Sequence, residues 1–234
     1  MDADRPTAET AGGPPAPSLQ KVWDAPTRIT HWSLVILIGL SWWSAENGQM
    51  AIHYWSGLTT VGLLAFRIYW GFAGPETARF ARFVRGPRAV AAYVRGLFRQ
   101  EHRAVFGHSP LGALSVLAML LAIGLQAGMG VFASDTSYVS SGPLSHLVDY
   151  DMSEAITELH EDFFNVLLAL IGLHLAAILF YLIVKRANLI GPMITGHRRT
   201  IDAEGPPQGI APVSWLRLAI GTGLAAGLVW LLAS

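Results

Sequence analysis

His160 and His174 stand fourteen residues apart in ITELHEDFFNVLLALIGLHLAAILFYLIV, residues 156 to 184. In a helix that turns about 100° and rises about 1.5 Å per residue, fourteen steps come back to within roughly 40° of the starting direction and climb roughly 21 Å. Both imidazoles therefore leave one helix face at two depths. The run from 163 to 184 is broken only by Asn165 and His174 and is long enough to span hydrocarbon. An ionisable side chain inside such a span is costly, turns to the bundle interior and marks a functional site. Imidazole offers two chemistries there, proton transfer and metal ligation. The acids of this chain sit near span ends and not along a path through the bilayer, which disfavours a proton relay.

The chain has no cysteine, which excludes disulfides, thiolate iron-sulfur clusters and covalently attached haem. Histidine, carboxylate and methionine remain as ligands. With 52% hydrophobic and only 14% charged residues and a mean hydropathy of +0.42, the composition is that of a polytopic membrane protein. Its natural partner is the lipid bilayer, and no nucleic-acid partner is expected.

Residues 1 to 20 are rich in Pro, Ala, Gly and acid, lack an apolar core and read as a disordered tail. In KVWDAPTRITHW, Asp24 can cap a helix with Pro26 in its first turn, and the apolar run 29 to 45 makes a first span. Glu46-Asn47-Gly48-Gln49 is a tight turn, and the second span, 50 to 73, carries His53 and Arg67 before Gly74-Pro75 ends it. Between 76 and 108, Val90, Tyr93, Val94, Leu97 and Phe98 recur at helical spacing opposite Arg88, Arg95 and Arg99, the pattern of an interfacial amphipathic helix. Ser109-Pro110 opens a third span, 111 to 133, where Gly124 and Gly128 give a small-residue ridge. A polar, acidic loop of about twenty residues precedes the fourth span, and 213 to 233 forms a fifth with Gly223 and Gly227 at the same spacing. The expected fold is all-α, a membrane helical bundle with a four-helix core in 21 to 200, followed by a linker and fifth transmembrane helix in 201 to 234.

All sixteen Lys and Arg fall in the N-terminal 28 residues, at the Arg67 end of the second span, in 76 to 108, or in 185 to 217. The opposite side, comprising Glu46 and the stretch from Asp135 to Asp162, holds eight acids and no base. The positive-inside rule then makes the N-terminus cytoplasmic, and five spans put the C-terminus in the periplasm. With that orientation His53 and His160 share an outer level, and His31 and His174 an inner one. A lone buried histidine is more often a hydrogen-bonded core residue than a ligand, but four at matched depths argue for ligation. Zinc is unattractive because no four ligands cluster. Two bis-histidine sites stacked across a bundle are what two non-covalent b haems require. Gly57, one turn beyond His53, lets a macrocycle approach the backbone. His102, His108, His146 and His197 read as solvated loop residues.

VWDAPTRITHW at 22 to 32, the second-span histidine, GPRAVAAYVRG at 86 to 96, the His160 and His174 pair and NLIGPMITG at 188 to 196 resemble the superfamily of prokaryotic cytochrome b561 and the nickel-iron hydrogenase b-type cytochrome. The resemblance covers roughly residues 21 to 200. It implies a four-helix core with two b haems, axial ligation by His31, His53, His160 and His174, and electron exchange with a quinone pool, ubiquinone or menaquinone, in the bacterial inner membrane. Arg28, one turn before His31, and Arg67, fourteen residues after His53, are placed to pair haem propionates, although interfacial snorkelling is an equal reading for Arg28.

The expected function is transmembrane electron transfer between quinone and a redox protein, with no side chain performing bond chemistry. Two alternatives are a superoxide:quinone oxidoreductase and a haem-bearing anchor for a hydrogenase or dehydrogenase. Eight uncompensated acids on the outer side repel an anion and attract a cationic protein such as a basic c-type cytochrome, so transfer to a protein partner is placed first.

Overall fold

The computed structural model describes residues 19–97, 109–134, 141–199 and 211–234. Helix α1, Ala25–Glu46, begins where Asp24 accepts the Thr27 amide at 2.9 Å, and Pro26 lies in its first turn. It stops at Asn47, and Gly48, with φ of +65°, makes the left-handed step into α2, Met50–Ala73. Two short helices follow, α3 at Phe80–Phe83 and α4 at Pro87–Gly96. Ser109 caps α5, Pro110–Phe132, by accepting the Gly112 amide at 3.1 Å. After a 3-10 turn at Ser145–Leu147 comes α6, Tyr150–Ile183. The chain continues through α7, Ile190–Thr195, and ends in α8, Trp215–Ala233.

The start of α6 corrects the expectation of a twenty-residue acidic loop. Asp149 caps it by accepting the Met152 amide at 2.8 Å, so Asp151 and Glu154 are helical too, ahead of Glu158, Glu161 and Asp162 in the stretch already expected to be helix. At 34 residues the helix is roughly 50 Å long at 1.5 Å per residue, more than hydrocarbon requires. Acids in a first turn also suit the positive end of the helix dipole.

Among the described residues α5, α6 and α8 are long and apolar enough to cross a membrane. Helices α1 and α2, with 22 and 24 residues, have the length, but their Trp, Tyr, Ser, Thr and His residues lower the mean hydropathy. Large apolar side chains cover the outside of the bundle, with Leu173 68% and Ile183 69% exposed on α6 and Trp230 72% exposed on α8. Such a surface is stable in lipid, and helices satisfy their own backbone there. The molecule is a membrane protein built as a helical bundle.

Helix α2 is the hub, packing on α1, α5 and α8, while α5 packs on α6. The α2 to α8 contact is close because its glycines lack side chains: a Cβ at Gly62 would meet Val229 at 2.6 Å, and one at Gly221 would meet Tyr69 at 2.7 Å. Gly223 and Gly227, expected to form that ridge, face open space, as does Gly128, and Gly124 alone of the expected set touches a neighbour, Leu64. A second contact region joins Ile38 of α1 to Ala122 and Ile123 of α5 and to Leu167, Phe163 and Ile171 of α6. Leu167, 2% exposed, lies seven residues from both His160 and His174 and fills the space between their levels.

A polar knot closes the other end. The fully buried Asp24 accepts Thr27 Oγ1 at 2.8 Å and Trp70 Nε1 at 3.0 Å, tying α1 to α2. Strand β1, Leu19–Lys21, pairs antiparallel with β2, His197–Arg199, and so joins the chain before α1 to the chain after α7. The ribbon takes in Leu19 and Gln20; residues 1 to 18 of the expected tail lie outside the described residues. Helix α4 lies where the amphipathic helix was expected, and its buried Tyr93 hydrogen-bonds Tyr181 of α6. Phe98 and Arg99 of that expected pattern lie outside the described residues.

Candidate cofactor site

Helix α2 presents His53 and α6 presents His160 across the bundle, with ring centroids 6.1 Å apart and planes at 89°. Each ring is held from behind. His53 Nδ1 lies 2.9 Å from the carbonyl of Ser41 on α1, and His160 Nδ1 lies 2.9 Å from the carbonyl of Gln126 on α5. A carbonyl only accepts, so each Nδ1 carries the proton and each Nε2 keeps its lone pair. Fixing a ligand histidine through its other nitrogen is how proteins orient an imidazole toward a metal.

Between these rings opens a cavity of about 1230 Å³, above the roughly 300–1,000 Å³ typical of pockets for drug-sized ligands. Its walls include Trp42, Leu58, Thr60, Ile123, Phe164 and Leu167, and the exposed carboxylates Glu46, Glu154, Glu158 and Glu161 border it. Gly57 is on the wall, and a Cβ there would meet nothing within 4 Å, so this residue faces open space.

The second pair joins His31 of α1 to His174 of α6, with ring centroids 6.5 Å apart and planes at 53°. His31 Nδ1 is buried without a hydrogen-bond partner, and the ring rests edge-on against Trp32 at 5.1 Å. A metal bridging two imidazoles at about 2.0 Å each, with about 1.1 Å from ring nitrogen to ring centre, separates the centroids by about 6.2 Å. Both pairs, at 6.1 and 6.5 Å, meet that spacing. Among the described residues no three His, Asp or Glu side chains gather as a compact metal-ion cluster. The donors come as two opposed pairs, of which His53 and His160 line the cavity, and this set fits haem iron.

Arg28 sits one turn before His31. Its Nη1 donates to the carbonyl of Ile194, and its Nε is buried without a partner. Trp32 Nε1 donates to Met193 O at 3.1 Å, so α7 is clasped to the start of α1 beside the inner pair. Gly196, with φ of +84°, ends α7, and its carbonyl accepts the Val22 amide at 2.8 Å. Arg67 is only 6% exposed, with Nη1 3.5 Å from Ala78 O and the guanidinium 5.2 Å over the Phe80 ring. Among the described residues no carboxylate lies within salt-bridge distance of it.

His146 and His197 are exposed, on the 3-10 turn and on β2. His102 and His108 lie outside the described residues, as does Asp135. Three contributors escaped the sequence reading. Ser41 acts through its backbone carbonyl, which no side-chain pattern advertises. Gly130 gives His160 its seat, for a Cβ there would meet the ring's Cε1 at 3.0 Å. Gln126 had a signal: it is the one amide in the apolar run from 111 to 133.

The family model described as prokaryotic cytochrome b561 matches residues 22–196. No curated protein and no solved structure matches the chain. The matched stretch takes in all four paired histidines, the cap at Asp24 and the turn at Gly196, and the chain belongs to the prokaryotic cytochrome b561 family, membrane proteins of haem b electron transfer.

Proposed function

We propose that this chain carries electrons across the bacterial inner membrane through two bis-histidine b haems, between a membrane quinone and a protein partner on the periplasmic side. The observation that carries the reading is the pairing of His53 with His160 and of His31 with His174 at 6.1 and 6.5 Å. When bound, haem supplies a reversible one-electron couple at iron. The chain's own task is to hold and insulate. His160 and His174 come from one rigid helix, so the spacing of the two levels is fixed by α6 itself, and Leu167 excludes water between them. The carbonyls of Ser41 and Gln126 keep the outer imidazoles in the tautomer that ligates. Arg28 Nε, buried without a partner, and the buried Arg67 guanidinium suit the inner propionates.

In this reading α1, α2, α5 and α6 form the four-helix core and α8 the fifth span, with the N-terminus cytoplasmic and the C-terminus periplasmic. The carboxylates of Glu46, Glu154, Glu158 and Glu161 around the outer cavity favour a cationic protein over superoxide as the outer reactant. The decisive experiment is haem extraction and quantitation on the purified chain. Two low-spin b haems per chain are expected. One haem, or none, overturns the proposal.

A further inference from the structure

Helices α5 and α6 are hydrogen-bonded at two levels: Ser153 Oγ of α6 donates to the Phe132 carbonyl of α5 at 2.9 Å, and a reciprocal pair forms around His160. His160 Nδ1 donates to the backbone carbonyl of Gln126 at 2.9 Å, and the Gln126 side-chain Nε2 donates back to the carbonyl of His160 at 2.9 Å. The same amide lies 3.3 Å from each ring nitrogen of His160, and Gly130, one turn further along α5, takes the ring against bare backbone. A primary amide in an otherwise apolar span costs desolvation and side-chain entropy that a leucine would not. Tying the two helices together at this point offsets that cost, because the carbonyl under His160 stays aligned only while α5 and α6 keep their register.

Resting on the dihaem reading above, we propose that Gln126 is a positioning residue for His160, a strut between α5 and α6 that holds this imidazole close to perpendicular to that of His53. The observed angle between the two outer rings is 89°, against 53° for the inner pair. Ring orientation is a property that can be read. In low-spin ferric haem with two imidazoles, perpendicular planes bring two iron d orbitals close to degeneracy and give a large, highly anisotropic g value. More nearly parallel planes lower it.

The test is low-temperature electron paramagnetic resonance of the oxidised full-length protein, with the outer signal identified by its loss in His53→Ala. Gln126→Met keeps length and bulk and removes the donor. Its outer signal moves to lower g while the inner signal stays in place. Gly130→Ala, which presses on the ring with the strut intact, also moves the outer signal and shows that the readout senses His160. An outer signal unchanged in Gln126→Met while Gly130→Ala shifts it, or an equal change in both signals, overturns the strut. Should Gln126→Met lose the outer signal outright, Gln126→Glu, polar and of equal length, takes its place on the same criterion. A wild-type protein without two low-spin signals refutes the dihaem reading instead, which is a separate result.

Discussion

His53 on α2 donates its Nδ1 proton to the carbonyl of Ser41 on α1 at 2.9 Å, while the hydroxyls of Ser41 and Ser56 meet at 2.7 Å. The imidazole is thus held by a neighbouring helix before any ligand arrives. Ser56 also donates to the His53 carbonyl at 3.0 Å, so backbone and ring are fixed together. A bis-histidine site pre-oriented in this way loses little entropy on binding.

The first prediction follows from the pairing. His53→Ala or His160→Ala removes the outer haem and leaves the inner one, and His31→Ala or His174→Ala does the reverse. Haem per chain falls from two to one in every case, measured by pyridine haemochrome. Retention of both low-spin signals in all four variants refutes the ligand assignment.

The second prediction concerns the polar knot around Asp24. Asp24→Ala removes the cap of α1, strands the Thr27 amide and leaves the buried Trp70 Nε1 without its acceptor. Losing a cap costs about 1 kcal/mol and leaving a buried donor unpaired about 1–3 kcal/mol. The thermal midpoint in detergent falls accordingly, whereas Asp24→Asn, which still accepts, recovers most of it. Equal midpoints for Asp24→Ala and the wild type contradict the bonding described here.

Orientation gives the third prediction. A reporter active only in the periplasm is silent when fused after Gln100 and active when fused after Ser234. The opposite pattern inverts the inner and outer levels.

Parts of this molecule were legible in the chain and parts were not, for physical reasons. Asp24 with Pro26, the Asn47-Gly48 turn and Ser109-Pro110 announced three helix ends because capping is local chemistry. The same logic was available at Asp149, where Asp151 and Glu154 precede the expected helix from 156 onward. Polarity there suggested a loop, because exposed helix and exposed loop share a composition. The histidine pairs could be sorted by depth because α6 sets their levels by its rise. What sequence could not yield was contact between helices: which glycine of α8 meets α2, or which carbonyl stands behind which ring. Gly221 packs and Gly223 does not, a difference of two residues that hydropathy cannot distinguish.

The fourth prediction concerns the partner and takes its residues from the cavity. Glu154, Glu158 and Glu161 are exposed on α6 and border the space between His53 and His160. Asp149 and Asp151 are less suitable for a charge test, since Asp149 caps α6 and its loss would fray the helix. A carboxylate rim around a redox site raises the association rate of a cationic protein by roughly 10 to 1000-fold at low ionic strength. That attraction is screened beyond about 8 Å at physiological salt. Oxidation of the reduced protein by a basic c-type cytochrome therefore slows steeply as salt rises. Replacing Glu154, Glu158 and Glu161 together with Gln slows it at low salt, flattens the salt dependence and leaves haem content at two per chain. Stopped-flow rates indifferent to both salt and the triple substitution eliminate the cationic partner, and the anchor reading or a small-molecule reactant then takes precedence.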